Sequence, residues 1–358
     1  MNRRTLPALS LVAVAGLALA GCAASGDDAG AAEGGSVSVV ASTSVYADLA
    51  SSVFGDAADV TAIVDSPSVD PHEYEATAQD QLAVTEADLA IFNGGGYDAY
   101  MEQLVEAGEV EHSVMAVEYN HDYPDAEVDG HEHSDEEADA DDHAEGEAEH
   151  DHAEDEGDGH TEAEHADETE HDHAEGEDGH NHVEGFNEHV WYDPHTMIHV
   201  VEAIADEASE LIPDEADAFA QNAADLTERL EGLEAGLADI EADHAGATVA
   251  FTEPVGGYLT TAAGLEDVTA EGFAEAVEHG QEVAPATLLE ATTALEGGEV
   301  DVFVVNPQTA GPETDAVVEA AETGGVPIVE FTETIPDGDD YVTWMQANVD
   351  ALAAALGE

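Results

Sequence analysis

PDEADAFAQNAADLTERLEGLEAGLADIEADH, residues 213–244, reads as one long amphipathic helix. Pro213 suits its first turn, Phe219, Leu226, Leu230, Leu233, Leu237 and Ile240 recur along a single apolar stripe, and Gly246 stops it. At 1.5 Å per residue, some thirty residues make a rod of about 45 Å, enough to span both halves of a two-lobed protein. With nothing on either side it would be only a long surface helix.

The flanking sequence supplies the two halves. Residues 37–40, 60–64, 89–92 and 113–117 are short apolar runs, interleaved with helical spacing over 45–54 and 79–87. Beyond the long helix, strand-like runs at 248–251, 301–305 and 326–331 alternate with helices at 285–295, 313–322 and 341–356. Alternation of this kind indicates mostly parallel sheets covered on both faces. A further helix opens at Pro194 behind Asp193 as N-cap, with Met197, Val201, Ile204, Ala208 and Leu211 at steps of three and four. The expected fold is α/β: a lobe over 36–212, a linking helix over 213–245, and a lobe over 246–358. Nothing in the sequence repeats strongly enough to suggest duplication.

Charge narrows the function. The chain of 358 residues carries 86 Asp plus Glu against 3 Lys plus Arg, a formal −83, and its basic residues are Arg3, Arg4 and Arg229. Nucleic acid and anionic headgroups are excluded as partners of the folded part, while cations are drawn to it. Acids spread over every helix also keep a protein soluble in salty surroundings, so charge alone does not establish a metal site.

Residues 1–21 read as an export signal: Arg3 and Arg4, then an apolar run over 9–19 too short for a membrane span. Leu19-Ala20-Gly21-Cys22 looks like a lipobox, which makes Cys22 the expected lipid-carrying first residue of the mature chain. As the sole cysteine it leaves no internal disulfide. Residues 22–35, rich in Ala, Gly and Ser, are a flexible tether.

Within the first lobe, residues 121–184 are an insertion of Asp, Glu, Ala and Gly strewn with His131, His133, His143, His150, His152, His160, His165, His171, His173, His180 and His182. It lacks the material for a core and reads as disordered, an auxiliary and loose chelator. A flexible segment of roughly sixty residues spans about 40–45 Å, so its histidines can sweep a nearby cleft. The tight site must come from the folded lobes, because a disordered chelator loses entropy each time it closes.

Ligands in parallel sheets collect beyond the carboxyl ends of strands. Three loops sit there: Asp70-Pro71-His72-Glu73-Tyr74, Thr252-Glu253-Pro254 and Asn306-Pro307-Gln308; His189 lies on the approach to the Pro194 helix. Singly each has a dull alternative: a satisfied histidine, a turn, surface charge, the chemistry of a helix start.

Together they match a family. Asp70-Pro71-His72-Glu73-Tyr74-Glu75, Ala87-Asp88-Leu89 leading to Asn93-Gly94, Asn187-Glu188-His189-Val190-Trp191-Tyr192-Asp193-Pro194 after the insertion, and Asn306-Pro307-Gln308 resemble the metal-binding lipoproteins of bacterial zinc and manganese ABC importers, the ZnuA-like cluster A-I solute-binding proteins. The resemblance implies a metal site in the inter-lobe cleft with His72 and His189 as ligands. Zinc members carry a third histidine where this chain has Glu253; manganese members have a glutamate there. The fourth family position falls at Asn306, so the implied shell is two imidazoles, a carboxylate, and an amide oxygen from Asn306 or Gln308, or a water. It further implies a lipid-anchored, extracytoplasmic monomer that hands Zn²⁺, with Mn²⁺ or Fe²⁺ as alternatives, to the membrane subunits of an ABC permease, with cell adhesion an option at family level. Catalysis is not expected.

Two other readings compete. Two histidines and a carboxylate also make a hydrolase ligand set, with Glu253 as general base, but no His-Glu-x-x-His helix is present. An extracellular buffer built on the insertion would show several weak equivalent sites. Imidazole ligands predict competition from protons between about pH 7.5 and 5.

Overall fold

The computed structural model describes residues 36–67, 69, 71–72, 74–124, 183, 185–309 and 311–357. The signal segment, the tether with Cys22, the insertion histidines named above, Asp70 and Glu73 lie outside the described residues.

In the first lobe β1 (Val37–Thr43) leads to α1 (Ser44–Phe54), β2 (Ala58–Val64), α2 (Ala78–Thr85), β3 (Leu89–Phe92), α3 (Ala99–Gly108) and β4 (Ser113–Met115). The strands are all parallel, in the order β2-β1-β3-β4. Leu89, Ala90, Ile91 and Phe92 are all buried, as a central strand covered on both faces requires. Next come α4 (Pro194–Leu211) and α5 (Ala216–His244). Asp193 caps α4 by accepting the His195 N–H at 3.1 Å, with Pro194 in the first turn.

The second lobe holds β5 (Thr248–Phe251), α6 (Gly257–Ala262), β6 (Glu266–Asp267), α7 (Phe273–Glu278), α8 (Pro285–Gly297), β7 (Val302–Val305), α9 (Pro312–Gly324) and β8 (Ile328–Glu330), before α10 (Tyr341–Leu356). Its sheet is again parallel, in the order β6-β5-β7-β8. All six stripe residues of α5 are buried, and Phe219 packs on Phe54 with ring centroids 5.4 Å apart. One apolar core runs from Leu49 through Ile204 and Leu230 to Val304 and Met345. The lobes are therefore joined through shared packing, at roughly 1.5–3 kcal/mol per large side chain buried.

Several elements differ from expectation. β4 stops at Met115 because residues 116–119 turn and hand the Val117 N–H to the Asn93 carbonyl at 3.0 Å. β8 starts only at Ile328: Gly325, at φ 74°, ends α9, and the Val326 N–H turns back to the Ala321 carbonyl. The helices α3, α6 and α7 and the strand β6 carry no expectation from the sequence, although Met101 and Leu104 supply the buried face of α3. Finally α10 packs on α5 and against β7 and β8 of the second lobe, and its start also reaches the first. Ile335 donates its N–H to Ser44 Oγ at 3.3 Å, Tyr341 donates its N–H to Asp48 Oδ2 at 2.9 Å, and the Tyr341 hydroxyl donates to the Trp191 carbonyl. Two stretches thus tie the lobes together, α5 and the segment from Ile335 to Tyr341.

Candidate metal centre

Carboxyl ends of strands deliver the side chains of the cleft. After β3, Gly94, Gly95 and Gly96 take φ values of 79°, 69° and 100°, which only glycine adopts without strain. A Cβ on Gly94 would also meet Met115 Sδ at 2.4 Å. The turn is fastened by Asp98, whose carboxylate accepts the N–H groups of Asn93 at 2.7 Å and Gly94 at 2.8 Å. Tyr97 is thereby aimed into the cleft, edge-on to His72 at 4.7 Å and against Trp191 at 4.6 Å.

His189 is fully buried, and Asn187 sets its tautomer. Asn187 Oδ1 accepts both the His189 backbone N–H at 3.1 Å and the ring Nδ1–H at 2.8 Å, while Asn187 Nδ2 donates to the Pro254 carbonyl at 3.0 Å. A backbone N–H needs an acceptor, so the amide has one orientation and the ring carries its proton on Nδ1. Nε2 is left for the cleft, the arrangement usual for a metal-ligating imidazole.

There it meets a residue the sequence reading passed over. Glu333, in the loop after β8 and 1% exposed, places Oε1 at 3.5 Å from His189 Nε2 and 4.0 Å from His72 Nε2. One donor atom from each of His72, His189 and Glu333 lies within 4.8 Å of the other two. Tetrahedral ligands at about 2.1 Å from zinc stand about 3.4 Å apart, close to the two distances that Glu333 makes here.

Glu253 and Asn306 sit one step away. Asn306 Nδ2 donates to Glu253 Oε2 at 2.6 Å and to Glu333 Oε1 at 3.1 Å, holding two carboxylates side by side. Its own oxygen accepts the Gln308 N–H at 3.0 Å. Asn306, expected as a weak fourth donor, here turns its Nδ2 to both carboxylates while its oxygen accepts from its own loop. Gln308 is occupied too, since Oε1 accepts the Glu333 N–H at 2.6 Å. Glu253, 2% exposed, keeps Oε1 without a hydrogen-bond partner.

Charge in the cleft is lopsided. Arg229 is the one Lys or Arg among the described residues, and it forks onto Asp340 at the surface. Burial disfavours a charged His189, yet facing Glu333, Glu278 and Glu188 outweigh it and raise the ring to about 10. Burial together with neighbouring Glu333 pushes Glu253 up to about 7. Burial likewise drives Glu333 up, but His189 and then His72 reverse this, and its carboxyl lies below the ordinary value.

The profile described as zinc-uptake complex component A, periplasmic, matches residues 39–355. The chain belongs to the ZnuA family. Among relatives, the zinc-binding lipoprotein AdcA of Streptococcus pneumoniae is 24% identical over 307 residues, which cover 84% of this chain and 52% of AdcA. The manganese-binding lipoprotein MntA of Halalkalibacterium halodurans is 36% identical over 97 residues, 27% of this chain and 31% of MntA. This chain thus spans about half the length of the AdcA relative it matches. In structure, the periplasmic zinc-binding protein TroA from Treponema pallidum superposes with a TM-score of 0.62 at 18% identity, covering 90% of this chain and 100% of TroA. That likeness is one of fold: two parallel-sheet lobes with a long helix between them. Glu333 carried a signal of the same kind as the three loops chosen from sequence, since it too follows a strand, but in a chain of 86 acids it did not stand out.

Proposed function

We propose that this chain captures a divalent cation, Zn²⁺ ahead of Mn²⁺ or Fe²⁺, between its lobes outside the cell and delivers it to an ABC permease while held to the membrane by lipid on Cys22. The convergence of His72 Nε2, His189 Nε2 and Glu333 Oε1 in a cleft that has no lysine or arginine among the described residues carries this reading. Family membership supports it. His72 and His189 come from the first lobe, Glu333 and Glu253 from the second. An ion bound by all four pins the lobes together, with Asn306 presenting both carboxylates and Asn187 presenting the imidazole. Two nitrogens and two oxygens suit zinc, and the affinity order of divalent ions places Mn²⁺ and Fe²⁺ below it at such a site. The insertion gathers ions weakly; the lobes hold one tightly.

The test is Zn²⁺ titration of the metal-stripped full-length protein against a competing chelator strong enough to leave weak sites empty. Structural zinc binding of roughly 10–16 kcal/mol shared among four ligands gives each about a hundredfold in affinity. His72→Ala, His189→Ala and Glu333→Ala should each lose that much. Wild-type affinity in all three variants would remove the assignment.

A further inference from the structure

We propose that His72, Glu188 and Glu278 form a second, outer coordination station for the same cation, sharing His72 with the inner set. The inference rests on the cation-receptor reading above. One donor atom from each of these three residues lies within 4.8 Å of the other two, the same closeness that joins His72, His189 and Glu333. The rings of His72 and His189 have centroids 5.5 Å apart, so the two sets meet at one imidazole.

Glu278 distinguishes this set from a patch of surface acid. Its side chain is 8% exposed, and Oε1 has no hydrogen-bond partner, with His189 Nε2 at 3.8 Å. A buried carboxylate oxygen without a donor is costly, and a cation is the natural group to satisfy it. Glu188, 4% exposed, is held in place through its backbone: its carbonyl accepts Asn93 Nδ2 at 2.9 Å. Glu278 ends α7 in the second lobe, whereas Glu188 and His72 belong to the first.

Access gives the two sets an order. A groove of about 420 Å³, lined in part by Phe186, Glu188, Thr269, Glu278 and His279, opens on the two outer carboxylates, while His72 lines a second groove with Tyr74 and Tyr97. His189 and Glu333 are 0% and 1% exposed, while His72 retains 10%. An ion arriving along the first groove meets Glu188 and Glu278 first, with His72 within 4.8 Å of both to complete the set. It then exchanges the oxygens of Glu188 and Glu278 for His189 Nε2 and Glu333 Oε1 without leaving His72. Ligand exchange of this kind spares the ion from being fully stripped at any moment and needs no redox partner.

Trp191 provides the readout: its ring lies 5.1 Å from that of His189, so Co²⁺ in the inner set should quench its fluorescence. Full-length, metal-stripped protein is mixed with Co²⁺ in a stopped-flow instrument. Glu278→Gln and Glu188→Gln should each slow quenching by about tenfold or more while leaving chelator-competed affinity within about threefold. In the His189→Ala background, Co²⁺ should still bind weakly, seen by its visible absorption, and adding Glu278→Gln should remove that increment. Unchanged rates in both single variants overturn the outer station. An affinity loss from Glu278→Gln as large as that from His189→Ala also overturns it, making Glu278 an inner ligand. If instead wild-type protein shows no quenching at all, the receptor reading falls and this inference with it; normal wild-type binding with an unaffected Glu278→Gln rate sinks the outer station alone.

Discussion

Asn187 takes two N–H groups from His189 and gives one of its own to Pro254 across the cleft, so a single amide fixes both the tautomer and the seam between lobes. Asn187→Ala should weaken Zn²⁺ binding by about 10–100-fold, the usual cost of losing a partner that orients a ligand. Asn187→Asp, which keeps the acceptor for Nδ1–H, should recover part of it; chelator competition decides, and an unchanged Ala variant would mean His189 orients itself. Protons compete over a wider range than imidazole alone suggests. The sequence predicted competition below about pH 7.5. With His189 raised to about 10, zinc at neutral pH displaces a proton from that ring, and its affinity should climb about tenfold per pH unit until that value is passed. Calorimetry in two buffers of different ionisation enthalpy should count at least one proton released at pH 7. The same shift acts on stability before an ion binds. Because the folded ring holds its proton more tightly than the ordinary 6.5, its ion pairs stabilise the fold fully below that pH, and the contribution fades as pH rises through about 10.

Elements whose residues face one way were legible. The α5 stripe, the fully apolar β3 and the Asp193-Pro194 start of α4 each state their role in consecutive residues, because burial and capping act locally. Leu230, wholly buried in α5, is a test: Leu230→Ala should cost about 2–5 kcal/mol in chemical denaturation, and a loss under about 1 kcal/mol would deny α5 its place in the shared core. The site was legible only in part. His72 and His189 stood out because histidine is uncommon outside the insertion, but Glu333 did not, and which way the Asn306 amide turns depends on Gln308, Glu253 and Glu333, which lie 25 to 80 residues apart in sequence. The glycine turn after β3 links fold to site. Gly94→Ala forces a left-handed residue against Met115 and should cost about 1–3 kcal/mol, with Tyr97 losing its aim at Glu333. A thermal melt matching wild type would contradict this.

A molecule with a formal charge of −83 repels itself and attracts cations at a distance. Salt screens both effects, with a Debye length of about 30 Å at 0.01 M falling to about 3 Å at 1 M. Raising NaCl across that range should therefore raise the melting temperature and slow the association of Co²⁺, the buried dissociation step changing much less. A flat association rate would place capture under local control. The tie from Ile335 to Tyr341 carries a mechanical corollary. Glu333 lies just ahead of that tie, between β8 and the Asp48 latch of α10. A jaw that gaped about α5 alone would stretch this strap and drag a ligand with it. Opening without tearing is therefore a matter of swivel and slide, and the grip on an ion slackens by rotating one carboxylate aside while the two halves stay shoulder to shoulder.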